Sequence, residues 1–317
     1  MEKQSTILTI LIFLLFTGCS KTVDPGELEQ YKIAFADGLS LNTVNLDGSE
    51  LTEIYKLRGT PYNLEWSPDA GRLLTDIYNV DYFTLKPDGS DVREIDIPNF
   101  PAYGFGWLSQ EELLFSRFDT VYTYHIHSES FQKGFLGRTP VVSPNGDKIA
   151  LRRNENELFV MNRDGSNPEK IADDVSSRGL VWSPDGSDIA YISDYKLWKT
   201  NLENGTSQQL SPDSENIISI RGWSPDGSMI MTAVTGESHM YPPMIIRSDG
   251  AGYHKLSDDV TAPRWLPDSR SNRIVYISEE EKSLKIMNYD GSSTRSIADL
   301  KQPGFHLFTI SPIPLPS

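Results

Sequence analysis

A unit of about 40 residues recurs along nearly the whole chain, and this periodicity narrows the possible folds more than any other feature. The sharpest copies are Trp66-Ser67-Pro68-Asp69, Trp182-Ser183-Pro184-Asp185-Gly186 and Trp223-Ser224-Pro225-Asp226-Gly227. Looser copies begin at Trp107, Val142, Trp265 and Ile310, so that successive markers stand 41, 35, 40, 41, 42 and 45 residues apart. A second marker keeps the same period. Asp47-Gly48, Asp88-Gly89, Asp164-Gly165, Asn204-Gly205, Asp249-Gly250 and Asp290-Gly291 each follow an apolar or aromatic stretch, and only the third unit, near Ser128-Glu129, lacks one.

The residues of each unit explain its shape. Proline sets φ for the first corner of a type I turn, Asp suits the second, and Gly accepts the left-handed position after it. Ser-Pro-Asp-Gly therefore reads as a hairpin turn between two strands. The next strand is apolar or alternating, as in Asp188 to Ile192, Lys148 to Leu151 and Arg273 to Ile277. A third leads to the Asp-Gly turn (Leu158 to Met161) and a short fourth follows it (Glu169 to Ile171). Four strands in about 40 residues make one blade of a β-propeller, an all-β fold whose blades stack radially because none can bury both faces alone. The recurrent Trp supplies the large apolar contact between blades.

The ends of the chain complement each other. The first unit, Tyr31 to Leu57, has no Trp-Ser-Pro strand, and the last, His306 to Pro312, consists of that strand alone. The C-terminal strand is therefore expected to complete blade one and close the ring, removing exposed sheet edges. This count gives seven blades, with six or eight if the weak third unit is merged or split. The reading divides the chain into residues 1–18, 19–30 and a propeller over 31–317.

The Trp-Ser-Pro-Asp-Gly units resemble TolB-type propeller repeats, and the likeness covers essentially everything from Tyr31 onward. That family's namesake has a six-bladed propeller and a separate N-terminal α/β domain, for which there is no room between Cys19 and Tyr31. What the resemblance implies is the fold and a general tendency toward protein or ligand binding in the cell envelope. Similar propellers also accompany the hydrolase domain of prolyl-oligopeptidase-like enzymes, but no Gly-x-Ser-x-Gly nucleophile elbow occurs here.

The N-terminus reads as an address. Lys3 precedes an apolar stretch, Ile7 to Phe16, that ends in Thr17-Gly18-Cys19. This stretch fits a signal-peptide core and is too short to span a bilayer of about 30 Å as a helix. Leu15-Phe16-Thr17-Gly18-Cys19 resembles a bacterial lipobox, with Phe16 where Leu is usual, and Cys19 is the only cysteine in the chain. A single thiol forms no internal disulfide, so Cys19 is expected to carry a lipid and to tether the propeller through the polar segment 20–30. Ser20 directly after it implies the outer membrane in a cell with two membranes.

The formal charge of −15, from 44 acidic and 29 basic residues, repels phosphate backbones, and no basic run outweighs it, so nucleic acid is not an expected partner. No phosphate-cradling Gly loop, His-Glu-x-x-His or paired-Cys motif is present, and no cofactor or metal is expected. His125 and His127 share a face of the strand expected over Val121 to His127, but a metal site would need a third ligand from another blade. The Asp-Gly turns are explained by backbone geometry and show no EF-hand pattern.

Candidate binding residues lie four positions before each marker, where inner strands begin and converge on one mouth of the central channel: Tyr62, Tyr103, Arg138, Arg178, Ser219, Thr261 and His306. Arg221 and Arg264 are near the two that carry only hydroxyls, although Arg264 has the opposite strand parity. Arg and Tyr around one opening suit a carboxylate, a peptide terminus or a sugar. Tyr62, Tyr103, Arg138, Arg178, Arg221 and His306 are therefore the expected site residues. The chain reads as a lipid-anchored envelope protein that binds a protein, peptide or glycan. The alternative is a propeller lyase or hydrolase acting on carbohydrate or peptide at the channel mouth. Paired carboxylates or several His there would favour the enzyme, and an Arg/Tyr ring would favour binding.

Overall fold

A computed structural model describes residues 31–315, apart from 79–80, 97–102, 155, 237–240 and 302–306. It contains twenty-eight strands in seven antiparallel sheets of four. The sheets follow the chain in order, and each is one repeat unit. In the fifth, β16 (Val175–Trp182), β17 (Asp188–Ser193), β18 (Lys196–Asn201) and β19 (Ser207–Gln209) run from the innermost strand to the outermost. The architecture is a seven-bladed β-propeller. The weak third unit is a full blade with its own four strands, neither merged nor split.

Closure follows the complementary ends. Strand β28 (Leu307–Ile310) pairs antiparallel with β1 (Lys32–Asp37), with Phe35 opposite Phe308 and Ile33 opposite Ile310. Blade one is thus built from both ends of the described chain. Its core is shared with its neighbours: Ile33, Phe35 and Phe308 pack with Val275, Ile277 and Ile286 of blade seven, and Ala34, Ala36 and Leu41 pack with Trp66, Leu73 and Phe83 of blade two. Similar clusters fill the other seams, so the hydrophobic core is a ring of inter-blade contacts. The marker Trp faces the preceding blade: Trp182 joins Ala150, Leu158 and Val160, and its indole N–H donates to the Val141 carbonyl at 3.0 Å.

The hydrogen bonds show why the turn residues recur. Ser183 Oγ donates to Asp185 Oδ1 at 2.6 Å and accepts from the Asp188 N–H at 2.9 Å, while the same Asp185 oxygen accepts from the Ser187 N–H at 3.0 Å. Ser224 and Asp226 repeat the pattern with the same distances. Gly186 stands at φ +73°, the left-handed corner expected of it. In the second marker, the Gly is needed twice over. Gly89 has φ +82°, and a Cβ there would lie 1.8 Å from the Ile54 carbonyl oxygen on the outer strand of blade one. The Asp-Gly turn of one blade therefore presses directly against the backbone of the blade before it.

Strand direction gives the ring two unlike faces. Inner strands begin, second strands end and outer strands finish on one side, the crossover face. The Ser-Pro-Asp-Gly and Asp-Gly turns occupy the other, the turn face.

Candidate functional face and central channel

Seven of the twelve exposed large apolar side chains among the described residues lie on the crossover face. Leu39, Tyr78, Phe118, Tyr195 and Tyr241 occupy the turns between second and third strands of blades one, two, three, five and six, and Tyr62 and Leu136 lie beside them. Phe118 is 69% exposed, Tyr195 62% and Tyr78 58%. Their backbones make this arrangement more informative. Asp194 and Tyr195 have φ +48° and +58°, and Phe118 has φ +51°. Both pairs form two-residue hairpin loops, Phe118 with Asp119, where Gly or Asn is the favoured occupant of a left-handed position. Gly38 fills that position in blade one, at φ +62°. A bulky residue there costs about 1–2 kcal/mol, and exposure gives Phe118 and Tyr195 little burial to offset it. Strained, exposed aromatic side chains around a single rim make this face the candidate contact surface.

The same rim carries a basic sector between blades three and four. Arg138 pairs with Asp119 through a short charge-assisted contact. Beside it, Arg152 donates to Asn156 Oδ1 at 2.9 Å, and Arg153 donates through Nε to the Leu136 carbonyl at 2.9 Å. Burial, and then the neighbouring Arg138, holds the Arg152 guanidinium below the ordinary arginine range.

The other expected residues are placed as follows. Tyr62 is on the crossover face, where its backbone N–H and that of Asn63 both bond to buried Asp76, at 2.7 and 2.9 Å. Thr261 Oγ1 donates to the Ile277 carbonyl at 3.0 Å, and Ser219 sits opposite Ala233 in the sheet. Tyr103 begins β8 (Tyr103–Trp107) and Arg178 lies within β16, but their side chains are outside the described residues, as is all of His306 and of the 1–30 segment with Cys19. His125 ends its strand at Thr120–His125, shorter than expected, and binds Glu112 at 3.2 Å, while His127 falls in the following turn. Among the described residues, no group of three His, Cys, Asp or Glu side chains could hold a metal ion.

Arg221 belongs to a different constellation, inside the channel. The free edges of the inner strands line it, and the residue just before each marker points to the seam with the following blade. Those positions are Glu65, Gly106, Val141, Val181, Gly222, Arg264 and Thr309. Arg264 and Glu65 are the two charged members. Arg221 joins them because β20 (Ile217–Trp223) bulges between Ile220 and Gly222, leaving Arg221 as the unpaired extra residue. The parity argument against Arg264 fails for the same kind of reason. The inner strands of blades three to seven all slip register between the two positions, as between Thr261 and Arg264 in β24 (Val260–Trp265), so counting alternation back from the marker gives the wrong face.

Glu65 carries no motif signal of its own. Its carboxylate leans against blade three, and a Cβ at Gly106 would lie 3.2 Å from Oε2. Burial raises its pKa to about 7, against the opposing pull of Arg264. Desolvation likewise holds Arg264 and Arg221 below the ordinary arginine range, although both keep surface open to the lumen. Glu65 is half-buried while both arginines are exposed. The channel's charged cluster sits one or two residues from the turn-face end of the inner strands.

No family model matches the sequence, and no curated protein matches it either. Solved structures do match in shape. TolB from Acinetobacter baumannii superposes with a TM-score of 0.55 at 15% identity, over 90% of this chain and 67% of that one. An oligogalacturonate lyase from Vibrio parahaemolyticus gives 0.57 at 10% identity, over 84% and 85% of the two chains. The C-terminal WD40 domain of Sif2 gives 0.58 at 15%, over 83% and 80%. The likeness is one of fold. A lyase stands among the neighbours beside TolB and a WD40 domain, so shape alone does not choose a function.

Proposed function

We propose that this chain is an exported, lipid-anchored binding protein of the bacterial cell envelope, held to the membrane through Cys19 and using its propeller's crossover face to dock a protein, peptide or glycan. The observation that carries the reading is the ring of exposed aromatic residues on that face, with Phe118 and Tyr195 held in left-handed turns where fold stability alone favours Gly. Rigid aromatic side chains give large contact area at low entropic cost. Arg138, Arg152 and Arg153 add a positive sector to a protein of charge −15, which would orient a partner carrying acidic groups.

The test is retention from solubilised envelopes on immobilised protein, comparing the wild type with a Phe118→Gly/Tyr195→Gly double variant. A component held by the first and released by the second supports the reading, whereas equal retention removes the crossover face from it. Radiolabelled palmitate should enter the wild type and not Cys19→Ser.

A second reading, as an enzyme, is favoured by Glu65 alone, since a carboxyl group with a pKa of about 7 is suited to proton transfer at neutral pH. The channel pairs that single carboxylate with two guanidiniums, an arrangement closer to recognition than to paired acid–base chemistry.

A further inference from the structure

We propose that the central channel holds a binding site for an amphipathic carboxylate, its head group taken by Arg221 and Arg264. The site goes beyond docking at the crossover face and is physically separate from it, lying near the turn-face end of the channel.

Three observations carry the inference. First, among the described residues, no hydrogen bond or ion pair within bonding distance reaches either guanidinium, and both are exposed to the lumen. Two like charges that act on each other with no protein acceptor between them favour an anion there. Each lies close enough to sense a neighbour: Arg264 depresses Arg221, and Glu65 acts on Arg264 from across the channel. Second, Glu65 does not serve as their counter-ion by contact. Its carboxylate rests in the seam between blades two and three, in the space that Gly106 leaves by having no side chain. Two fork-shaped donors therefore face the lumen with their hydrogen-bonding capacity unspent, a geometry that fits the two oxygens of a carboxylate.

Third, the rest of the ring at this depth is not polar. Blades four and five carry Val141 and Val181, packed into their seams but only half-buried, and blade six contributes Gly222. Of the seven positions, only Thr309 offers a neutral hydroxyl. A phosphate or sulfate would call for more donors than this. A carboxylate attached to an apolar body would set its head on the arginines and its body against the valines. A peptide C-terminus and a free aliphatic acid share that chemistry.

Glu65 makes the site pH-sensitive. Among the described groups, Arg264 is the one charged side chain that acts on it, and Arg221 reaches it only through Arg264. When Glu65 is protonated, the lumen cluster carries two positive charges. When it ionises, it competes with the ligand for Arg264. Affinity should therefore be highest below neutrality and weaken as pH rises through about 7.

The experiment is isothermal titration of the full chain with N-acetyl-Ala-Leu, its C-terminal amide, hexanoate and inorganic phosphate, at pH 6 and pH 8.5. The free acids should bind and the amide should not. Arg264→Gln and Arg221→Gln should each weaken binding at least tenfold, and Glu65→Gln should keep binding while removing its pH dependence. Preference for the peptide acid over hexanoate would identify a chain terminus as the source, and the reverse would identify an aliphatic acid. Equal binding of acid and amide, stronger binding of phosphate, or unchanged affinity in both Arg variants would overturn the proposal. Unfolding midpoints of the variants separate lost binding from lost fold, and Phe118→Gly/Tyr195→Gly, on the other face, should titrate like the wild type.

Discussion

Replacing Glu65 with Gln should stabilise the protein, and by an amount that depends on pH. In the unfolded chain this carboxyl group titrates near 4.5, and in the channel burial moves it to about 7. The folded state therefore holds the proton more tightly than the unfolded state. Stability from this group is fully present below the unfolded pKa and is lost as pH rises through the folded one. A shift of about 2.5 units corresponds to about 3.4 kcal/mol at 1.36 kcal/mol per unit. The side chain is only half-buried, so a working figure is about 2–3 kcal/mol. Gln has no charge to desolvate and nearly the same shape. The variant should match the wild type near pH 4.5, gain about 1 kcal/mol per pH unit above it, and stand about 2–3 kcal/mol ahead at pH 8. Urea unfolding at pH 5, 6, 7 and 8, followed by fluorescence of the six Trp residues, measures this difference directly. A constant difference, or a variant less stable than wild type at pH 8, would show that attraction to Arg264 outweighs desolvation and refute the reasoning.

Other substitutions probe the turns, the seams and the closure. Tyr195→Gly should change unfolding free energy by less than about 1 kcal/mol, because relief of left-handed strain offsets lost contacts and added chain entropy; a loss of about 3 kcal/mol in chemical denaturation would mark Tyr195 as structural. Gly89→Ala should destabilise by about 3 kcal/mol, from strain plus the clash with the Ile54 carbonyl. Gly291→Ala, with φ +85° but nothing within 4 Å of its added Cβ, should cost only the strain, about 1–2 kcal/mol. Phe308→Ala, at a side chain only 1% exposed in the closing strand, should cost about 3–5 kcal/mol and release amide-exchange protection in β1 first.

The propeller was legible because its determinants are local and repeated. Ser183, Asp185 and Gly186 build their turn almost entirely within six residues, so the same letters carry the same geometry in each blade. Even ring closure could be read, since Tyr31 and His306 bound complementary fragments of one unit. The channel site was only half legible. Arg221 was marked by charge, but Glu65 was hidden beside a Trp whose packing role explained the motif, and it gains meaning only when blade two meets Gly106 of blade three. Register slips in the inner strands hid which way Arg264 points. Arg138, four residues before its marker, lies with Asp119 on the rim. The aromatic rim went unread because Phe118 and Tyr195 sit in turns, where no alternation pattern exists, and their positive φ belongs to the folded backbone alone.

The most direct test of the crossover face as the working surface is site-specific photo-crosslinking in living cells. A benzophenone amino acid would replace Tyr78, Phe118 or Tyr195 on that face, and Tyr253 or Tyr289 on the turn face, in the chain carrying Cys19. The expected result is one common crosslinked envelope component from the three crossover positions and none from the two turn-face positions. Crosslinks confined to Tyr253 and Tyr289, or spread evenly over all five, would contradict it.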